Sequence, residues 1–363
     1  MDTVPARHTP AVDVNLFVFN GAETIAAAIE SVLAQTWPAL TLTVIDDGST
    51  DDTLDVVRGF IARHPAIRLK RNRVNGGAVA NFQRAFWLGD ADFVLPKSAD
   101  DVIDPRFVEQ AMAVLLAHPD CAMCHAAGLV FTGEGDIRST YPPGHRLSAV
   151  GADPLARARH VMATYTSSPS FWGVYRRSAV DRLARIGHRA GWDHALLAEL
   201  ALYGEIRHVP ELLYWRRDGG KPVLRLARAA TEAATRGLPL DGPLAEHRWR
   251  TPLITTAYAH IETFAVARID ETRRRALMQA VPGIFRARWL SLLRREAAVL
   301  ERAVADILPG LATEDGLTSR WIATQLSDAV RAVEAIVPEA GLSWVHAEIA
   351  ALSARAPAEA EPA

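Results

Sequence analysis

Along the first third of the chain, apolar positions alternate between short continuous runs and the three-and-four spacing of an amphipathic helix. VDVNLFVF (Val12 to Phe19) reads as a strand, and Asn20-Gly21 breaks it. In AETIAAAIESVLAQ, the residues Ile25, Ile29, Val32 and Leu33 share one helical face, and the helix ends near Thr36-Trp37-Pro38. LTLTVI is a second strand and leads into the acidic stretch VIDDGSTDDT. Ser49 or Thr50 is the expected N-cap of the next helix, whose apolar face is Leu54, Val57 and Ile61. AIRLKR is a third strand, and Asn75-Gly76-Gly77 opens a helix carrying Val79, Phe82, Phe86 and Trp87. A fourth strand, ADFVLP, runs into KSADDVIDPRFV, where Pro105 suits the first turn of a helix reaching about Leu116.

Strands separated by helices of this length build parallel β-α-β units, and open sheets of that kind bind ligands beyond the carboxyl ends of their strands. That rule collects Asn20, Asp46, Asp47, Gly76, Asp100 and Asp101 on one rim. From Cys121 to Trp215 the pattern is less regular. CAMCHAAGLV reads as a buried strand, whereas YPPGH and TYTSSPSFWGVYRRSAV read as loops and short strands. Beyond Leu224 the composition shifts to Ala, Arg, Leu and Glu, and helical spacing prevails to Ser353. The expected organisation is an arm over 1–11, an α/β domain over 12–223, a helical region over 224–353 and a disordered tail over 354–363.

Composition narrows the class. With 49% hydrophobic and 23% charged residues, the chain reads as a soluble globular protein. A net charge of -2 gives no general electrostatic case for nucleic acid. No apolar run approaches the roughly 20 residues of a membrane span, and MDTVPARHTP lacks a signal-peptide core, so a cytoplasmic protein is expected. Cys121 and Cys124 are the only cysteines, which excludes a disulfide framework and a four-cysteine zinc site. Their Cys-x-x-Cys spacing suits either a redox pair or reduced thiols packed in a buried strand.

The rim lacks the common phosphate motifs. VFNGAETIAAA has a single Gly where a dinucleotide fold wants three, and no Gly-Lys-Ser/Thr or His-Glu-x-x-His occurs. What remains is one acidic cluster after the second strand and another after the fourth. Carboxylates suit Mg2+ or Mn2+, ions that usually bridge to substrate phosphates. Blander readings stand beside this one. Asp-Gly is a turn dipeptide, Asp51 and Asp52 suit the positive start of a helix, and a capped helix before Pro105 accounts for one of Asp100 and Asp101. The amides of Asn75-Gly76-Gly77 suit a phosphate or a base. Lys70, Arg71 and Arg73 either hold a nucleotide or form a solvated basic loop.

Three blocks carry a resemblance: VNLFVFNGAETIAAAIESVLAQTWPALTLTVIDDGSTDDTLDVV, NGGAVANFQRAFWLGDADFVLPKSADDVIDPRFV and GWDHALLAELALYGEIRHVPELLYWRR. Over residues 12 to 217 they resemble the successive blocks of family 2 glycosyltransferases. The resemblance implies the GT-A fold, a Rossmann-like, mostly parallel sheet with flanking helices, here followed by an all-helical C-terminal region. It also implies a nucleotide-diphosphate sugar donor, a divalent metal (Mn2+ or Mg2+) and inversion at the transferred sugar. By the same resemblance, Asp47 accepts a hydrogen bond from the base, which favours UDP or dTDP, and Phe17, Asn20, Glu23, Asp46, Asn75, Gly76 and Gly77 surround the nucleotide sugar. Asp100 and Asp101 hold the metal, with Asp100 also facing the donor, although Ser98 stands where the family often has an Asp. Asp193 is the catalytic base, a role compatible with capping the helix expected near Ala195. Arg216 is assigned to the diphosphate, although Asp218 replaces a His that sometimes follows. Trp172 and Trp192 either stack on sugars or pack in the interior.

The expected function is therefore sugar transfer to a saccharide or glycolipid hydroxyl in polysaccharide or glycoconjugate synthesis. The alternatives are a nucleotide- or glycan-binding protein on an inactive frame and a sugar nucleotidyltransferase. The latter wants a basic, Gly-rich loop after the first strand, which FNGAETI is not. In the helical region Trp289, Leu290, Leu292 and Leu293 lie among arginines, and the end, with Glu314, Asp315, Asp328, Glu334 and Glu339, is acidic. Internal packing, a homodimer interface and peripheral contact with the inner face of a membrane are the readings of that pattern.

Overall fold

A computed structural model describes residues 9–132, 135–142, 146–164, 168–184, 191–218, 252–311 and 316–355. The expected junction at 223/224, most of the N-terminal arm, the tail from 356, and Glu314 and Asp315 lie outside the described residues. The chain divides into two compact units, residues 1–186 with 196–233, and 187–195 with 234–363.

The first unit is built in chain order from β1 (Val12–Val18), α1 (Ile25–Leu33), β2 (Leu40–Asp46), α2 (Thr53–Arg63), β3 (Arg68–Arg71), α3 (Ala78–Trp87), β4 (Phe93–Ser98), β5 (Val102–Ile103), α4 (Phe107–Ala117), β6 (Cys121–Phe131), β7 (Ile137–Thr140), α5 (Pro154–Thr164), β8 (Gly173–Arg176) and α6 (Arg177–Val180). Helix α7 (Trp192–Tyr203) and β9 (Glu205–Arg217) follow, with the first turn of α7 counted in the second unit. The sheet order is β3-β2-β1-β4-β8-β6-β9-β5, with β7 beside β6. Strands β1 to β4 form a parallel block, and β6 and β9 run the same way, whereas β5, β7 and β8 oppose them. Six strands thus share one direction, counted as four in the block plus β6 and β9.

The continuous apolar run of β1 follows from its central place, since Val12, Val14 and Leu16 are fully buried. Ile25, Ile29 and Val32 of α1 and Phe107 and Met112 of α4 join the same core. Leu33, expected on the apolar face of α1, is 41% exposed. Neither Ser49 nor Thr50 caps α2. The Ser49 hydroxyl accepts from the Asn20 amide and the Thr50 amide donates to Asn20 Oδ1, while Asp52 takes the N-cap position. Cys121 and Cys124 are free and buried in β6. Burial pushes the Cys121 thiol up to about 11 and the Cys124 thiol higher, so both are packing groups and the redox reading falls away.

In the second unit, α8 (Pro252–Val266), α9 (Glu271–Leu311), α10 (Gly316–Ile336) and α11 (Trp344–Arg355) bury Phe264, Phe285, Leu293, Leu326 and Val330. Glu296 of α9 accepts hydrogen bonds from the Leu253 and Ile254 amides and so satisfies the start of α8. Helix α9 leaves helical geometry at Trp289 (φ -132). Its arginines pair within the unit: Arg274 and Arg275 with Glu271 on the same helix, and Arg286 and Arg294 with Glu339 beyond α10. No described helix is long and apolar enough to cross a membrane.

Candidate active site

Strand β1 lies between β2 and β4, and the register sets Val18 beside Asp46 and Phe17 beside Ser98. The two acidic loops therefore leave the sheet on either side of the carboxyl end of β1. Backbone bonds hold them there: Asp47 N donates to Val18 O at 2.8 Å and Ala99 N to Phe17 O at 3.3 Å.

On the β2 side, Asp46 is fully buried. Its carboxylate accepts from the Ser49 amide at 3.2 Å and pairs with Arg71 at 3.3 Å. Asp47, 1% exposed, accepts from Asn72 Nδ2 at 2.6 Å, from the Gly76 amide at 3.1 Å and from the Gly77 amide at 3.0 Å. Arg84 adds a charge 3.6 Å away. Gly77 opens this loop onto α3 with φ 88 and ψ 162, a conformation essentially confined to glycine. Asn75 Oδ1 also accepts from the Gly77 amide, at 2.7 Å. The Asn75-Gly76-Gly77 turn thus surrounds the very carboxylate with which it was expected to share a ligand.

Asp51 does more than favour a helix start. It accepts from the Thr53 amide at 3.1 Å and from the Ala22 amide at 3.1 Å, and so ties the loop after β1 to the loop after β2. Asn20 (φ 50) makes the same link through Ser49 and Thr50. Glu23 is exposed in the turn before α1.

On the β4 side, the two expected metal ligands differ. Asp100 is exposed, with Thr24 Oγ1 at 3.4 Å from its carboxylate. Asp101 is buried. It accepts from the Tyr214 hydroxyl in a short bond and from the Arg217 amide at 3.0 Å, and burial raises its pKa. Lys97, fully buried beneath the loop, donates to the Ser98 carbonyl at 3.1 Å and to the Asp101 carbonyl in a short bond. Burial pulls its ammonium down to about 8, against the attraction of Asp101 and Asp100. Arg217 Nε donates to the Asp100 carbonyl at 3.1 Å while its guanidinium lies over Phe131 at 4.6 Å. Arg216 instead donates to the Tyr141 hydroxyl at 2.9 Å.

Among the described residues no group of three or more His, Cys, Asp and Glu is arranged to hold a metal. Mg2+ and Mn2+ commonly take one or two carboxylates and complete their shell with phosphate and water. An exposed Asp100 on a braced loop fits that demand, whereas Asp101 acts as the brace. An aromatic row runs behind both loops. Phe17 stacks on Trp172 at 6.0 Å, and Trp172 stacks on Tyr214 at 6.3 Å with an interplanar angle of 6°. Trp172 is half-buried and packs between Phe17 and Tyr214.

Asp193 lies in the first turn of α7, half-buried. Its carboxylate accepts from its own amide and that of His194, and burial raises its pKa. Helix α7 begins at Trp192, three positions before Ala195, so Asp193 sits inside the first turn.

Lys97, Tyr214, Asn72 and Arg84 were not singled out as site residues by the sequence. Arg217 had a visible signal, its place beside Arg216 in LLYWRRDGG, where the resembled family often carries basic residues. Tyr214 meets Asp101 across 113 positions, a separation that no local pattern reveals.

The Glycosyl transferase family 2 model matches residues 14–182. The chain is 26% identical over 174 residues to the uncharacterized glycosyltransferase YibD of Escherichia coli K12, covering 47% of this chain and 50% of that protein. It is 31% identical over 114 residues to an Escherichia coli chondroitin synthase, covering 30% of this chain and 16% of that one. It thus spans at most half the length of these two relatives. The S. aureus TarS 1-349 structure in complex with UDP-GlcNAc superposes with a TM-score of 0.56 at 15% identity, over 94% of this chain and 89% of that one, a likeness of fold. Residues 14–182 thus match glycosyl transferase family 2, and the mostly parallel sheet with flanking helices, followed by a helical C-terminal region, has the GT-A fold.

Proposed function

We propose that this protein transfers a sugar, with inversion, from a UDP- or dTDP-sugar to a hydroxyl of a saccharide or glycolipid acceptor. The observation that carries the reading is the pairing of two loops across the end of β1: a buried Asp47 ringed by the Asn72 to Gly77 segment, and an exposed Asp100 on a braced loop. The identity with chondroitin synthase supports a polysaccharide acceptor.

In this reading Asp47 recognises the base as a charged acceptor for a ring N–H. Its oxygens already receive Asn72, Gly76 and Gly77, so a base reaches it by displacing one of these donors. Asp100, with the donor diphosphate, would hold Mn2+ or Mg2+. When bound there, the ion supplies positive charge against the charge growing on the leaving diphosphate. Lys97 and Arg217 keep the Asp100 loop in place through its carbonyls. Asp193 takes the proton of the acceptor hydroxyl as that oxygen attacks from the face opposite the diphosphate. Its raised pKa makes it a better proton acceptor than an ordinary surface carboxylate.

The test is release of nucleoside diphosphate from a panel of UDP- and dTDP-sugars with Mn2+ and oligosaccharide acceptors. Asp193→Asn should lower turnover by about 10²–10⁴ while leaving nucleotide binding intact. Nucleotide binding without turnover in any combination would instead favour a binding protein, a reading to which Ser98 gives footing.

A further inference from the structure

The residues that carry Asp193 belong to the helical second unit, which comprises residues 187–195 and 234–363. Gly191 has φ +82, and a Cβ there would collide with the side chain of Thr256 on α8. Three positions on, His194 and His260 of α8 are joined at 2.9 Å between Nδ1 and Nε2. His260 Nδ1 lies 2.8 Å from the Thr256 carbonyl, which can only accept, so Nδ1 carries the proton and Nε2 is left as an acceptor. His194 must therefore donate from Nδ1, and the tautomers of both rings follow from one carbonyl. The rings meet edge-on at 4.8 Å, and Phe285 of α9 packs 5.3 Å from His260 and 6.1 Å from His194. Two apolar side chains would fill this buried space without the cost of desolvating imidazoles. What the pair adds is direction. The Asp193 carboxylate in turn rests on the amides of Asp193 and His194.

We propose that His260 is a positioning residue for the reaction: through His194 it fixes the first turn of α7, and with it the carboxylate of Asp193. This inference rests on Asp193 being the base, as proposed above.

The experiment compares His260→Phe, which keeps an aromatic ring beside Phe264 and Phe285 but removes the acceptor, with His260→Gln, which restores one. Each is made in the natural chain and in the Asp193→Asn variant, with melting curves as fold controls. In the natural chain, His260→Phe should lower kcat by about ten- to a hundredfold, with donor KM and UDP affinity unchanged. His260→Gln should recover most of the loss. In the Asp193→Asn background, His260→Phe should add nothing further, because both changes act on one carboxylate. An unchanged kcat in His260→Phe, or the same loss in both backgrounds, would overturn the inference. If Asp193→Asn itself keeps full turnover, the base assignment fails and takes this inference with it. A collapse in Asp193→Asn beside normal turnover in His260→Phe refutes the inference alone. Should His260→Phe not fold, His194→Leu cuts the same bond from the donor side and is judged by the same criteria. Failure of both to fold would show that the pair serves folding and not position.

Discussion

The Asp101 carboxylate lies between the Tyr214 hydroxyl and the Arg217 amide, whereas that of Asp100, one residue earlier, faces solvent. Asp101→Ala leaves two buried donors unpaired and should cost about 1–3 kcal/mol of stability, read by denaturant unfolding. Asp100→Ala should stay within about 0.5 kcal/mol of the natural chain and lose metal-dependent UDP binding. Asp193 titrates in the opposite sense from a stabilised carboxylate. Its pKa is raised by burial, and the transfer requires the deprotonated form, so kcat/KM should fall as pH drops through that raised value. The acid limb should therefore lie above about pH 4, the usual carboxylate range, and Asp193→Asn should abolish it. A limb at the ordinary value would contradict the role given to Asp193.

The loop from Asn72 to Gly77 and the end of β9 are the elements that turn single carboxylates into a site. Gly77→Ala forces a side chain into a glycine conformation at a strain of about 1–3 kcal/mol, and shifts the amide that holds Asp47. It should weaken UDP binding and lower the unfolding midpoint together. Tyr214→Phe cuts the tie from β9 to Asp101 while keeping the stack on Trp172. It should keep the fold and raise the Mn2+ concentration needed for half-maximal UDP binding. These elements were unequally legible. The order from β1 to β4, and α4 after it, follows from apolar period with Gly and Pro breaks, because β1 is buried on both faces and α1 on one, whereas the two-residue β5 carries no period to read. Helix α5 escaped because its buried face includes Arg157, whose guanidinium bonds the Ala201 carbonyl at 2.8 Å. Strand β9 was not read, because Pro210 and Glu211 break its pattern where the register with β6 shifts, between Val209 and Leu212. Asp47 and Asp100 could be placed from their strand ends. Lys97 could not, because an ammonium in a strand predicts exposure and here its partners are carbonyls of the loop it supports.

At the scale of the whole chain, the family 2 match over residues 14–182 lies in the first unit, and the second unit holds the first turn of α7. The arginines of α9 that suggested a membrane or dimer surface are largely paired within the unit, with Glu271 and Glu339. The proposed donor site joins Asp47 to a metal that Asp100 would hold. Calorimetric titration of UDP into the protein, with and without Mn2+, beside the Asp100→Ala variant, tests it most directly. UDP binding should need Mn2+ in the natural chain and be lost in Asp100→Ala, with the variant still folded. UDP binding of equal strength without Mn2+, or retained in Asp100→Ala, would contradict it.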